Sequence, residues 1–209
     1  MNRLLALSLF IFSSIPAFAQ DSRAGAILDA MSKKYQAMNA FAASFTYSTE
    51  GAASDSYKGE VTVKGPKFRL KLAGQEVFND GKQVATYVKE TNEVNLSDYD
   101  PSESELSPAK IYNIYKKGYN YKFLREEKDG GQTYEVIELT PQNKKTQVAN
   151  VQISVNKTDR TVRSWRITNR NGQKQTFRVD KFTPNVAAPD ATFVFDKAKY
   201  PGVEVIDLR

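Results

Sequence analysis

The chain has 209 residues, with 30 lysines and arginines against 24 carboxylates for a formal net charge of +6, and it contains neither histidine nor cysteine. Disulfides, thiolate metal sites, histidine-based metal sites, the serine triad and the cysteine dyad are therefore excluded. The basic charge is scattered and no recognition motif accompanies it, which argues against nucleic acid and favours contact with anionic surfaces.

At the N-terminus, Met1-Asn2-Arg3 places one positive charge before the apolar stretch Leu4 to Phe12, and Ala17-Phe18-Ala19 forms a small-residue cleavage signature. This is the pattern of a secretory signal peptide over residues 1–19, well short of the roughly 20 apolar residues that span a bilayer. The remainder is expected to be an exported, soluble, periplasmic protein, and a monomer. No cysteine follows the cleavage site, so the chain is not expected to carry a lipid anchor of its own. About 190 residues suffice for one core that removes roughly 70% of the unfolded surface from water. No linker or repeat divides them, so residues 20–209 read as a single domain.

From Asp21 to Asn39, Ala24, Ile27, Leu28, Met31, Tyr35 and Met38 recur at three- and four-residue spacing, which predicts an amphipathic helix capped by Asp21 or Ser22. The period then changes to two. Phe41 to Tyr47, Tyr57 to Val63, Phe68 to Leu72 and Val84 to Val88 read as antiparallel strands, with Gly65-Pro66, Asp80-Gly81 and Glu90-Thr91-Asn92 as turns. Ser107-Pro108 opens a second, short helix through Ile111, Ile114 and Tyr115 that stops at Gly118. Strands resume at Tyr121 to Leu124, Thr133 to Leu139, Val148 to Val155, Val162 to Ile167, Thr176 to Phe182 and Thr192 to Phe195. The expected fold is mainly β: a single large curved antiparallel sheet of about 11 strands, an incomplete β-barrel, with the helices as a lid on its concave face.

Phe41-Ala42-Ala43-Ser44-Phe45 after an N-terminal helix resembles the opening of the LolA family, the outer-membrane lipoprotein carriers. The resemblance continues through Gly59 to Val63, Gly65-Pro66-Lys67-Phe68-Arg69, Asn79-Asp80-Gly81-Lys82 with Tyr87, and Ser107-Pro108 before Ile111. Phe193-Val194-Phe195 and Pro201 to Asp207 are similar to the family's C-terminal segment. The resemblance implies a cavity that takes lipoprotein acyl chains from an inner-membrane ABC transporter and delivers them to an outer-membrane acceptor, without covalent chemistry or a cofactor. One departure stands out. Many proteobacterial members carry Arg before the Pro of the second hairpin, where it helps hold the lid shut; here the residue is Gly65.

A triacyl anchor exposes some forty methylenes, and at about 0.8 kcal/mol each its transfer into water costs on the order of 30 kcal/mol. A carrier must offset most of that cost and still release the cargo. The expected lining is Phe45, Tyr47, Phe68, Leu70, Leu72 and Tyr87 from strands, with Ile27, Leu28, Met31, Ile111, Ile114 and Tyr115 from helices. The alternative reading of the same residues is an ordinary close-packed core. Trp165, the sole tryptophan, shares a face with Ile167 and fits either role.

Ser107-Pro108-Ala109-Lys110 matches the S-x-x-K of penicillin-binding proteins, but its companion motifs are missing: Ser97-Asp98 is followed by Tyr99, and no Lys-Thr-Gly occurs. Ser107 is instead expected to cap the second helix. Asp98, Asp100, Glu103 and Glu105 lack the spacing of a calcium loop. Lys116, Lys117, Lys122, Arg125 and Lys128 are read as solvated charge, with phospholipid headgroups or a docking partner as the functional alternative. A lipoprotein carrier is thus the first reading, a periplasmic lipid- or lipoprotein-sensing module of the same fold the second, and a hydrolase a distant third.

Overall fold

A computed structural model describes residues 21–50, 54–101 and 107–209; the expected signal peptide and the acidic pair Glu103 and Glu105 lie outside the described residues. The apolar three- and four-residue spacing produces α1 (Ser22–Gln36). The Asp21 carboxylate caps it, Oδ1 accepting from the Ala24 N–H at 3.0 Å. Ala24, Ile27, Leu28, Met31 and Tyr35 form its buried stripe.

Twelve strands follow: β1 (Phe41–Glu50), β2 (Ser56–Lys64), β3 (Lys67–Leu72), β4 (Gln75–Asn79), β5 (Gln83–Val88), β6 (Glu93–Asp98), β7 (Tyr119–Asp129), β8 (Gln132–Pro141), β9 (Val148–Asn156), β10 (Val162–Asn169), β11 (Lys174–Pro184) and β12 (Glu204–Asp207). They form one sheet in the order β12-β6-β5-β4-β3-β2-β1-β11-β10-β9-β8-β7. Two meanders, β1 to β6 and β7 to β11, are thus joined by the β1–β11 pair. The sheet is not closed. It is mixed, because β12 lies parallel to β6, where an antiparallel sheet of about 11 strands was expected.

Three further expectations are corrected. The second helix is a 3-10 helix, Ile111–Lys116, and Ser107 does not cap it: among the described residues no side chain caps that helix, and the buried Ser107 hydroxyl has no hydrogen-bond partner. Phe193-Val194-Phe195, which alternates like a strand, belongs to a 3-10 turn, Asp190–Phe193, and the extended stretch after it. This segment crosses the sheet instead of pairing with it, tied down by Asp190 to Lys64 at 2.9 Å and Lys67 at 3.0 Å. Among the described residues the expected pair of helices is thus one α-helix and a six-residue 3-10 helix. Gly65 sits at φ +55 in the turn between β2 and β3, a left-handed conformation that an arginine would adopt only under strain.

Antiparallel pairing carries side-chain parity from strand to strand, and the two faces differ in chemistry. One face, the inner face, meets α1 and the 3-10 helix in the main core, which also takes Phe41, Phe45, Val61, Val63, Phe68, Ile137, Leu139, Val151 and Ile153. On the opposite face of the first meander a second core gathers Phe78, Ala85, Val94 and Val203, with Tyr87, Leu96, Phe195 and Tyr200 packed against it.

Candidate functional site

The inner face carries an unbroken apolar row. Tyr57, Tyr47, Phe177, Trp165, Ile153, Ile137 and Phe123 stand directly opposite one another across β2, β1, β11, β10, β9, β8 and β7. Three of its aromatic members are in ring contact: Tyr47 and Phe177 at 4.8 Å between centroids, and Trp165 stacked on Phe177 at 5.3 Å. Cover over this row thins along its length. Ile137 and Ile153 are buried; Tyr47, Phe177 and Trp165 are only partly so; Tyr57 at the far end is 41% exposed. Leu70, Leu72 and Val77 continue the half-buried apolar surface on β3 and β4.

Polar contacts hold α1 at both ends. The second oxygen of Asp21 accepts from the Phe123 N–H of β7 at 2.8 Å, and with the Ala24 N–H this lowers the carboxyl below its ordinary pKa. Arg23 lies 3.6 Å above the Phe123 ring and pairs with Glu126 at 2.7 Å and Glu135 at 3.1 Å. Glu135 is buried on the inner face and takes a second guanidinium, Arg160, at 2.5 Å. Towards the other end, Asn113 of the 3-10 helix accepts from Ser32 at 2.6 Å and from Gln36 at 2.9 Å, and the Tyr115 hydroxyl donates to Asp29 at 2.5 Å. Burial, reinforced by that bond to Asp29, raises the Tyr115 phenol. The helix and the 3-10 helix therefore form one polar-stitched unit over an apolar surface.

Of the twelve residues expected to line a cavity, Ile27, Leu28, Met31, Phe45, Phe68, Ile111, Ile114 and Tyr115 are buried in the main core, in contact with one another. Tyr47, Leu70 and Leu72 lie half-buried at its margin. Tyr87 is not among them. Its register runs Tyr87, Glu76, Lys71, which places it on the opposite face, with its ring 4.5 Å from that of Tyr200. Sequence reasoning missed Phe177, although it falls on the same alternation as Val179 and lies across from Tyr47. The Lys110 ammonium donates to the Pro101 carbonyl, and no hydrogen bond joins it to the Ser107 hydroxyl among the described residues. Among the described residues no group of three or more His, Asp or Glu side chains could hold a metal, and no helix is long and apolar enough to cross a membrane.

The molecule is thus a wide, open sheet with one apolar face packed in part against a helical unit. The sequence model of the family "Outer membrane lipoprotein carrier protein LolA" matches residues 36–196, and the chain belongs to that family. The fold is also that of an uncharacterised protein from Thermus thermophilus, 13% identical, with a TM-score of 0.61, covering 89% of this chain and 99% of that one. LprF from Mycobacterium bovis is similar at 10% identity and a TM-score of 0.52, covering 82% of this chain and 98% of its own. MucB is similar at 16% identity and a TM-score of 0.51; 84% of this chain spans 64% of MucB. No curated protein sequence matches the chain.

Proposed function

We propose that this protein is a non-catalytic periplasmic carrier that holds the acyl chains of lipoproteins against its inner face between the inner and outer membranes. The observation that carries this reading is the apolar row ending in the half-buried Tyr47, Phe177 and Trp165, beside Leu70 and Leu72, in a chain of the LolA family. In the empty protein the stripe of α1 fills this surface, so no large apolar area meets water. Cargo displaces the helical unit, exchanging Ile27, Leu28 and Met31 for acyl methylenes of similar transfer free energy. The near-balance of that exchange is what makes both uptake and release accessible. Cargo would arrive from an inner-membrane ABC transporter and leave to an outer-membrane acceptor.

The test is purification from the periplasm of the wild type and of Leu70→Glu, with circular dichroism to establish folding, followed by mass spectrometry and immunoblotting for acylated proteins. Acylated proteins on the wild type and not on the variant support the carrier. A well-folded wild type bearing free lipid and no acylated protein overturns it in favour of a lipid-sensing module.

A further inference from the structure

The loop between β8 and β9, residues 142–147, and the turn between β10 and β11, residues 170–173, lie at one end of the sheet and are bonded to each other. The Arg170 N–H donates to the Gln147 carbonyl, and its guanidinium Nε to the Thr146 carbonyl, both at 2.8 Å. Within the loop, Asn143 Oδ1 accepts from the Lys145 N–H at 2.9 Å, and the Gln142 N–H donates to the Gly118 carbonyl at 2.8 Å. The rim fixed in this way carries Lys144, Lys145 and Arg170, with Lys174 opening β11 beside them, all exposed. Residues 142–147 and 170–174 contain no carboxylate. Neighbouring cations elsewhere do share one, as Lys64 and Lys67 share Asp190 and Arg163 and Arg178 share Asp129. Lys144, Lys145 and Arg170 make no ion pair with a described residue, and Lys174 has Glu50 at 3.7 Å.

Exposed cations without counter-charge, held at one rim, add their attractions to any anionic surface that meets them. Ammonium groups on flexible stems also suit a layer of headgroups whose positions are not fixed. The apolar row lies just inside the same end of the sheet. Phe177 stands three residues along β11 from Lys174, about 10 Å at roughly 3.4 Å per residue. The C-terminal end of α1 covers the far end of these strands, where Tyr35 meets Val162 and Phe182. A bilayer presents phosphate first and hydrocarbon behind it, and the rim and the row follow one another in that order. We propose that the rim of Lys144, Lys145, Arg170 and Lys174 docks the protein on the anionic surface of a phospholipid bilayer. An acyl chain that leaves such a bilayer at the rim meets Phe177 within about 10 Å. Docking itself asks nothing of the inner face, so it stands or falls apart from the carrier reading.

The experiment is co-sedimentation of the protein, purified from the periplasm, with vesicles of mixed phosphatidylglycerol and phosphatidylcholine and, separately, of phosphatidylcholine alone. The wild type is expected to sediment with the mixed vesicles only, and to be released at about 1 M salt, where screening shortens to about 3 Å. Lys144→Gln/Lys145→Gln changes exposed side chains of a loop that Asn143, Thr146 and the backbone hold, so the fold is kept. It should weaken binding about thirtyfold, a factor of about five for each lysine at the surface. Lys82→Gln/Lys128→Gln removes the same charge from exposed positions at the opposite end of the sheet and should leave binding unchanged. Equal weakening by the two double variants would mean that net charge alone draws the protein down, and overturns the rim. A wild type that ignores the mixed vesicles overturns it too and leaves the basic loops to an acidic protein surface. Leu70→Glu is expected to sediment as the wild type does; its failure to sediment would make insertion of the inner face the cause of binding and overturn the docking site. The chain has no cysteine, so Gln173→Cys and Lys82→Cys can each carry one environment-sensitive dye. The label at 173 should shift to the blue on mixed vesicles and the label at 82 should not; the reverse assigns the contact to the other end and overturns the rim.

Discussion

The ring of Phe45 occupies the space that a side chain at Gly59 would fill: a β-carbon built on Gly59 would lie 2.4 Å from the Phe45 ring and 3.0 Å from the Lys71 carbonyl oxygen. The two residues face each other across β1 and β2, so the phenylalanine lies over bare backbone and reaches the main core from there. Gly59→Ala is expected to cost about 1–3 kcal/mol, as overpacking of a filled core does. Thermal denaturation in a double-mutant cycle with Phe45→Leu checks the cause, because the smaller side chain relieves the ring contact. The combined variant should be less destabilised than the two single costs added together. Strict additivity would mean that the collision with the Lys71 backbone, and not with the ring, limits the site.

Trp165 is the sole tryptophan and lies half-buried in the apolar row, stacked on Phe177. Acyl chains laid on this surface would remove its remaining water contact. Its fluorescence emission is expected to shift to the blue on titration with a single-chain lipid and to stay unshifted with a water-soluble glycerophosphate lacking the chain. Phe177→Ala should weaken that response, since it opens the row next to the indole. An emission maximum that does not move while lipid binds would place the chains elsewhere on the protein.

The helix was legible because its stripe needs only local spacing, and most strands were legible because Phe41 to Tyr47 or Val148 to Val155 alternate plainly. Strand β4 was harder. It follows a two-residue turn made by Ala73 and Gly74, both at positive φ, and alanine is a residue that rarely signals such a turn. That same turn fixes which side of β4 faces the core, and through β4 it fixes the phase of β5. Tyr87 therefore could not be assigned to a face from alternation alone; only the register Tyr87 to Glu76 to Lys71 does so. The stretch around Phe195 read as a strand because a segment that lays alternate rings on a sheet has the same period as one that pairs with it. Its rings meet Phe78 at 5.7 Å and Tyr200 at 4.7 Å without joining the ladder.

Tyr35 sits at the C-terminal end of the α1 stripe, its ring stacked on Tyr112 at 5.3 Å and edge-on to Phe41 at 5.2 Å. Its hydroxyl oxygen accepts from the Val162 N–H at 3.0 Å, in a buried setting. Tyr35→Phe keeps the ring contacts and orphans that N–H, for an expected loss of about 1–3 kcal/mol. Burial pushes the phenol up to about 12, above its ordinary 10.0. A group whose folded pKa is raised contributes stability that is fully present below its unfolded value and lost as pH rises through the folded one. The wild type should therefore lose stability between pH 10 and about 12, and Tyr35→Phe should lose less over that window. Denaturant midpoints measured across it decide the matter: parallel curves for the two proteins would show that Tyr35 ionises as freely in the folded state as in the unfolded chain.

At the opposite end of the helix the relevant pH range is acidic. Asp21 joins α1 to β7 through two backbone donors, Phe123 first and Ala24 second, and both lower its carboxyl from the ordinary 3.8. With a depressed folded pKa, its contribution is present above the ordinary carboxylate value and is lost as pH falls through the depressed one. Acidification should thus loosen the N-terminal attachment of α1 as Asp21 takes up its proton. Asp21→Asn retains a capping oxygen for Ala24 but removes the charge that the Phe123 N–H meets. Hydrogen exchange at Phe123 is expected to quicken in the variant at neutral pH, and in the wild type only on acidification. If α1 is the element that cargo displaces, the variant should also take up single-chain lipid faster at neutral pH, with the two proteins converging once Asp21 is protonated. Faster exchange at Phe123 with unchanged lipid uptake would leave the anchor real but separate it from cargo entry.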